Sequence, residues 1–332
     1  MGKPIVLVPT VAADTHLNLV GRYLGEHDVE LVRLNTEDLY SNTEIAIEPA
    51  AGTGCVSVLD SGRSFRLEDV KAVWYRKPDT PSIEHLEIAG EQERRFFTAE
   101  SYENLLSFYS VLQDRPWINN PLTTRLAHRR FHQLKVANQL GMRTVRSIFS
   151  NSESAVRKFA ADIGRDLALK SLSALSVSNP VDGSVVEQYG VLTRTISAEE
   201  LDMLSENVAI FPTFLQEYID KAYDLRIVCV GREVFACRIH SQDNPVTRHD
   251  FRISTKTAEH ESVDLDEEFR ARLHRFMDVL GIDFGCFDFL EVAAGEPYFL
   301  ECNPNGQWLW VEDRTGAPIS RAVARHLAQL VR

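Results

Sequence analysis

Late in the chain, the string Phe299-Leu300-Glu301-Cys302-Asn303-Pro304 carries two oxygen-bearing side chains two residues apart. The apolar run from Tyr298 to Leu300 reads as a strand, so Glu301 and Asn303 share one face of it. Pro304 stops the ladder because it has no N–H to donate, and Asn305-Gly306 supplies a turn. A second apolar segment, Cys286-Phe287-Asp288-Phe289-Leu290-Glu291, brings one more inward carboxylate. Together Asp288, Glu301 and Asn303 form an oxygen-only set, the donor chemistry of a hard cation such as Mg²⁺. A polar pair at a strand end can also merely cap a turn. The third oxygen ligand, on a strand otherwise apolar, weights the set toward a metal.

Cationic residues upstream could serve the same chemistry. Lys170 lies inside the apolar strand pattern Leu167-Ala-Leu-Lys-Ser. Such a lysine is costly unless paired, so it needs an anion, either a nucleotide phosphate or a nearby carboxylate. The polar run from Ser173 to Gly190 follows. It reads as a lid whose backbone N–H groups cover phosphates, or as a plain surface loop. Phe214-Leu215-Gln216-Glu217-Tyr218-Ile219 reads as a hinge strand. Its backbone could recognise an adenine edge and Glu217 the ribose hydroxyls, and a simple connecting strand is the alternative. Arg226 and Arg238 each sit in an apolar strand of a hairpin around Gly231-Arg232. If both face one cleft, they could hold a transferring phosphoryl group and an acyl phosphate through bidentate contacts. Salt bridges to Asp224 or Glu233 are the plainer reading.

Asp288 with Glu301-x-Asn303-Pro304 resembles the metal-binding end of an ATP-grasp ligase. The longer string ECNPNGQWLW, with Thr315-Gly-Ala-Pro-Ile319 and Val73-Trp-Tyr-Arg76, is similar to the macrocyclising ligases of graspetide (microviridin-type) peptide biosynthesis. The resemblance implies an α/β (α+β) ATP-grasp fold in three parts. These are a pre-ATP-grasp α/β domain (1–118), a linker helix and central lid domain (119–210) and a C-terminal domain with the metal site (211–332). It implies ATP and Mg²⁺ as cofactors. It adds Lys135, in Lys135-Val-Ala-Asn-Gln-Leu-Gly-Met, as a phosphate contact. It places Gln216, Glu217, Tyr218, Ile219 and Asp224 at the nucleotide. It also adds Arg252, in an Asp-Phe-Arg string where the family has Asp-Trp-Arg, beside Arg226 and Arg238 as a catalytic residue. The implied partner is a precursor peptide with leader and core segments. The implied reaction is an ATP-dependent ω-ester or ω-amide link between its Asp/Glu carboxylates and Ser/Thr hydroxyls or Lys amines. A homodimer is expected.

The elements that must position these residues are legible in part. Ile5–Val8 reads as a strand, His16–Leu24 as a helix with Leu17, Val20 and Leu24 inward, and Val29–Leu34 as a strand. Residues 44–67 look like a β-meander. No phosphate-binding G-x-G-x-x-G follows the first strand. Glu91–Gln113 should be a helix with Phe97, Leu105, Phe108 and Leu112 inward. Arg125–Leu140 should be one helix with Leu126, Leu134, Ala137 and Leu140 inward, and Glu267–Leu280 another. The chain has 332 residues, 44% apolar and 25% charged, enough for several small cores. A net charge of −12 argues against a general nucleic-acid binder. No apolar run is long enough to span a bilayer. The five cysteines include no C-x-x-C and mostly sit in strand patterns, as expected of reduced, buried thiols in a cytoplasmic protein. No Ser–His or Cys–His motif supports a covalent enzyme intermediate.

Overall fold

The computed structural model of the chain describes residues 2–172, 176–181, 185–190, 194–245, 247–248, 250–251 and 258–332. The chain opens with β1 (Ile5–Thr10), α1 (His16–Gly25) and β2 (Glu30–Asn35). A short α2 (Leu39–Asn42) leads into the meander β3 (Thr43–Glu48), β4 (Thr53–Val58) and β5 (Arg63–Arg66). Then come β6 (Val70–Trp74), the long α3 (Glu91–Ser110) and β7 (Trp117–Ile118). The parallel sheet has the order β2-β1-β6-β7. Its first strand is buried along its whole length, as parallel strands covered on both faces are. In α3, Leu105 and Phe108 are buried, with Leu112 just beyond its end. Phe97 is exposed, as are all of residues 91–100.

The linker does not form one helix. It divides into α4 (Pro121–Ala127) and α5 (Arg130–Gln139). Asn120 caps α4, accepting from the Leu122 N–H, with Pro121 at the first helical position. The break at His128-Arg129 resets the helical register. Leu126 is therefore exposed, while Gln133, Val136 and Ala137 turn inward.

The central sheet has the order β12-β9-β13-β8, from β8 (Ser147–Ser150), β9 (Leu167–Lys170), β12 (Arg194–Ile196) and β13 (Thr213–Glu217). Between β9 and β12 the polar run forms a hairpin, β10 (Ser176–Val181) with β11 (Val185–Gly190). Helices α6 (Glu153–Ile163) and α7 (Ala198–Asn207) cover one face of the sheet, capped by Ser152 and Ser197. The hinge strand β13 is hydrogen-bonded between β8 and β9, so the central sheet continues past residue 210.

The C-terminal sheet runs β16-β15-β14-β17-β18, all antiparallel. Its strands are β14 (Tyr223–Val230), β15 (Glu233–Ile239), β16 (His260–Val263), β17 (Phe284–Glu291) and β18 (Tyr298–Asn303). Helix α8 (Glu267–Leu280) buries Phe269, Leu273, Phe276 and Leu280 against one face. Asp266 caps its start, and Gly281, at φ 64°, ends it. On the other face, α9 (Leu309–Thr315) and α10 (Ile319–Leu330) join α1, β1 and β6 in a single core. Trp74 and Trp308 lie in that core at 2% and 0% exposure. Burying a large apolar side chain contributes about 1.5–3 kcal/mol, so this core binds the first domain firmly to the last. Among the described residues, no helix is long and apolar enough to cross a membrane.

Candidate active site

The C-terminal sheet has two chemically different faces. Arg226 of β14 lies across from Cys237 on β15 and Asp288 on β17, whereas Leu225 lies across from Arg238 and Phe289. Opposed residues share a face and successive residues alternate. Arg226 and Arg238 therefore point to opposite sides of the sheet and cannot hold one phosphoryl group together.

Arg238, on the far face, is engaged by two carboxylates. Its Nε and Nη2 donate to Glu291 at 2.9 and 2.7 Å, and Nη1 donates to Glu261 at 3.1 Å. Neither Asp224 nor Glu233 is its partner. The Asp224 carboxylate is instead held by Lys221 at 2.6 Å, and burial raises its pKa against that lysine's pull.

Arg226 stands on the face that the late ligand strings share. Asp288 pairs across the ladder with Glu301, and Cys286 with Asn303, so the three expected metal ligands come to one side. Arg226 donates Nη1 to Asp288 at 2.8 Å and Nη2 to the Gln307 carbonyl at 2.9 Å. Burial alone would lower its pKa; Asp288 outweighs that and holds it above the ordinary value. Gly306 makes this contact possible. A Cβ there would lie 2.3 Å from Cys286 Cβ and 3.0 Å from Arg226 Nη2.

Glu301 forms an ion pair with Arg130, which also donates Nη1 to the Ser171 carbonyl at 2.8 Å. Arg130 thus joins the late sheet to the end of β9 across the cleft between the sheets. Lys170 lies across from Phe214, and Ala168 across from Gln216, so these share one face of the central sheet. Phe131 of α5 packs on Phe149 and Phe214 at that face, with ring centroids 5.0 and 5.3 Å away. Lys170 therefore faces the cleft. Lys135 is exposed on α5. It sits five residues after Arg130, about 140° round the helix, and turns away from β18. Arg130, which the sequence reading did not single out, makes the contact from α5 to Glu301.

The hinge is more closely tied to its sheet than its backbone-readout reading requires. The N–H groups of Glu217 and Tyr218 donate to Arg146 and Asp166 carbonyls at 2.9 and 3.0 Å. Gln216 is buried and donates to Ser147 Oγ at 3.0 Å. Glu217 lies 3.7 Å from Arg165, and Ile219 is buried. Arg252 lies outside the described residues.

A buried network joins the first domain to this site, and sequence reasoning passed over most of it. Asp14 accepts from Thr10 Oγ1 at 3.0 Å, the His16 N–H at 3.1 Å and His16 Nδ1 at 2.7 Å. Asp14 also lies 3.3 Å from Arg76 Nε. Burial would raise its pKa, but His16 and Arg76 hold it well below the carboxylate range. Arg76 donates to the carbonyls of Asn305 and Gly306, the latter at 3.0 Å, and lies 4.7 Å from the Trp308 ring centre. Burial brings its pKa down to about 10 against the pull of Asp14, so it stays charged at neutral pH. Elsewhere, Asn119 donates Nδ2 to the Phe284 and Pro304 carbonyls at 2.8 and 2.9 Å. Gln133 both donates to and accepts from the Cys302 backbone, at 2.6 and 2.9 Å. The only signals for this network in the sequence were the Trp-Tyr-Arg and Gly-Gln-Trp strings.

The donor set can be tested against a metal. Two carboxylates and an amide oxygen on one sheet face suit a hard cation. The Asn303 oxygen already accepts the Asn305 N–H at 2.9 Å, which fixes its orientation. Among the described residues no three or more His, Cys, Asp or Glu side chains group so as to hold a metal ion; this set has two carboxylates and an amide. Burial pushes up the thiol pKa values of Cys229, Cys237, Cys286 and Cys302, that of Cys237 to about 12, so none offers a thiolate at neutral pH.

A parallel first sheet, an antiparallel central sheet and an antiparallel C-terminal sheet with an oxygen-only face beside a buried arginine are the parts of an ATP-grasp fold. Residues 5–125 match the MvdD pre-ATP grasp domain, and the whole chain is similar to ATP-grasp ligases of peptide modification. It is 25% identical to the macrocyclase MdnC of Microcystis aeruginosa MRC, whose crystal structure holds the precursor peptide MdnA. The TM-score is 0.83, over 98% of this chain and 99% of that one. A RiPP-associated ATP-grasp ligase of Chryseobacterium gregarium, solved with ADP and a leader and core peptide, is 23% identical. Its TM-score is 0.87, over 98% of this chain and 96% of that one. PsnB, solved with a minimal precursor, Mg and ADP, shares the fold at 19% identity and a TM-score of 0.75, over 99% of both chains. No curated protein sequence matches.

Proposed function

We propose that this ATP-grasp ligase closes macrocycles in a ribosomally made precursor peptide. An Asp or Glu carboxylate of the core attacks the γ-phosphorus of ATP, ADP leaves, and an acyl phosphate results. A Ser/Thr hydroxyl or Lys amine then attacks the acyl carbon, phosphate leaves, and an ω-ester or ω-amide closes the ring with loss of a proton. The observation that carries this reading is the shared face of Arg226, Asp288, Glu301 and Asn303. The similarity to MdnC, crystallised with its precursor, supports the substrate class.

Asp288, Glu301 and Asn303 would hold Mg²⁺, which when bound neutralises charge on the nucleotide's phosphates. The chain's own work is positioning and electrostatics. Arg226 offers a fixed, always-charged fork to the acyl phosphate. Arg130 and Lys170 stand on the phosphate side of the cleft, and the segment 216–219 borders the adenine. The same proposal includes leader recognition, a homodimer, a cytoplasmic location and a three-part division, with its first boundary at residue 118 and its second moved past β13, which belongs to the central sheet.

The test is ADP release that requires a precursor peptide, with the product analysed by mass spectrometry. One water lost per link supports macrocyclisation. Added amino-acid mass would replace it with an amino-acid ligase. Nucleotide binding without ADP release for any carboxylate acceptor would leave only a binding module.

A further inference from the structure

The network at the junction of the first and last domains has no place in the mechanism above. We propose that Arg76 is a positioning residue for the cation face, acting from the pre-ATP-grasp domain through the loop 304–308; this rests on the ligase reading. Arg76 follows β6 and is 1% exposed. Its Nη1 donates to two consecutive carbonyls, Asn305 and Gly306, directly after the ligand strand ends at Asn303. The next carbonyl, Gln307, receives Arg226 at 2.9 Å. The residue after that, Trp308, donates its backbone N–H to His16 Nε2 at 3.4 Å. Because His16 Nδ1 faces the Asp14 carboxylate at 2.7 Å, the imidazole carries its proton there and leaves Nε2 free to accept. The peptide groups at 305, 306 and 308 are thus held by the first domain, and that at 307 by Arg226.

The choice of residue argues for orientation rather than mere fastening. A buried guanidinium carries a large desolvation penalty, and apolar side chains of similar volume would join two domains with less of it. What the charged Nη1 adds is direction, since one donor shared by two consecutive carbonyls fixes where both dipoles point. Loss of such an outer contact typically weakens metal affinity about 10- to 100-fold.

The experiment follows the fluorescence of N-methylanthraniloyl-ADP bound to the full chain as Mg²⁺ is titrated, with thermal midpoints measured beside it. Arg76→Lys keeps the charge and loses the fork; Arg76→Gln loses both; His16→Gln removes the anchor at Trp308. Trp74→Phe is the packing control, since Trp74 lies in the same core, 6.1 Å from Trp308 by ring centroids. Both Arg76 variants should raise the Mg²⁺ needed for half-maximal binding at least about tenfold, and His16→Gln by less. Trp74→Phe should lower the midpoint and leave the Mg²⁺ requirement alone. If Arg76→Gln does not fold, Arg76→Lys and His16→Gln decide. Wild-type Mg²⁺ dependence in the folded Arg76 variants, or an equal shift in Trp74→Phe, overturns the proposal. If the wild-type chain itself binds no nucleotide with Mg²⁺, the ligase reading falls first and this inference with it.

Discussion

Two faces of one sheet carry the same motif, an arginine among carboxylates, and treat it differently. On one side, both oxygens of Glu291 and one of Glu261 answer the Arg238 fork, and 27% of that side chain meets solvent. On the other, Arg226 is 8% exposed, shares itself between one carboxylate oxygen and one peptide carbonyl, and has an Nε with no acceptor. A saturated surface arginine is structural. A buried arginine with an unmet donor, beside oxygen ligands, keeps capacity for an incoming anion. Burial and hydrogen-bond count separate the two where sequence environment did not.

The sharpest way to break the comparison is to remove charge from the ligand face. Asp288→Asn keeps an oxygen acceptor for Arg226 and removes the charge of a metal ligand. Turnover should fall at least about a hundredfold, the effect of several kcal/mol, with an unchanged far-ultraviolet spectrum. Near-normal peptide-dependent ADP release would remove Asp288 from the metal site. Arg226→Gln should lower kcat by about two orders of magnitude. Arg238→Gln should stay within about threefold and cost no more than about 1 kcal/mol of urea stability. Equal losses of kcat in the two variants would erase the distinction between the faces.

Gly306→Ala probes the approach of loop to sheet. Its added methyl meets Cys286 Cβ at 2.3 Å, so backbone must move. A stability loss of about 1–3 kcal/mol by denaturant titration is expected, with Mg²⁺-dependent binding impaired. A variant as stable and as tightly binding as wild type would show that the loop has room to spare.

The smallest effect concerns pH. Burial lowers the His16 pKa against the Asp14 hydrogen bond, with Arg76 and Lys77 adding to the lowering and the Asp14 charge opposing it. The unfolded chain, with an ordinary imidazole near pH 6.5, then takes up a proton before the folded one does. This contribution to stability is complete above that pH and is lost as pH falls below it. Urea midpoints at pH 7.5 and 5.5 should differ more for wild type than for His16→Gln; equal differences would exclude His16 as the source.

Much of the fold was legible because its signals are local. The stripe of α8, its Asp266 cap and Gly281 stop, and the alternation of β17 and β18 needed no tertiary knowledge. The shared face of Glu301 and Asn303 followed from strand period alone, and the register of β17 against β18 brings Asp288 to it. Arg226 and Arg238 were misjudged as a pair because their relation depends on the register of β14 against β15, which the hairpin strings leave open. Arg130 was not singled out, because the break at His128-Arg129 that sets its direction carries no proline or glycine to announce it. Asp14 and His16 were invisible for a plainer reason: what they hold lies far along the chain, Arg76 for Asp14 and, 292 residues away, Trp308 for His16.

Gln133 has a consequence of its own. Its amide returns both a donor and an acceptor to Cys302, and Arg143 accepts from the Phe299 N–H at 2.7 Å, so the outermost strand β18 is met along its rim. Bare strand rims are templates on which other chains can add. A side chain from the linker thus acts as a doorstop against runaway self-assembly, and Gln133→Leu would be expected to leave a protein that clouds on storage well before it melts.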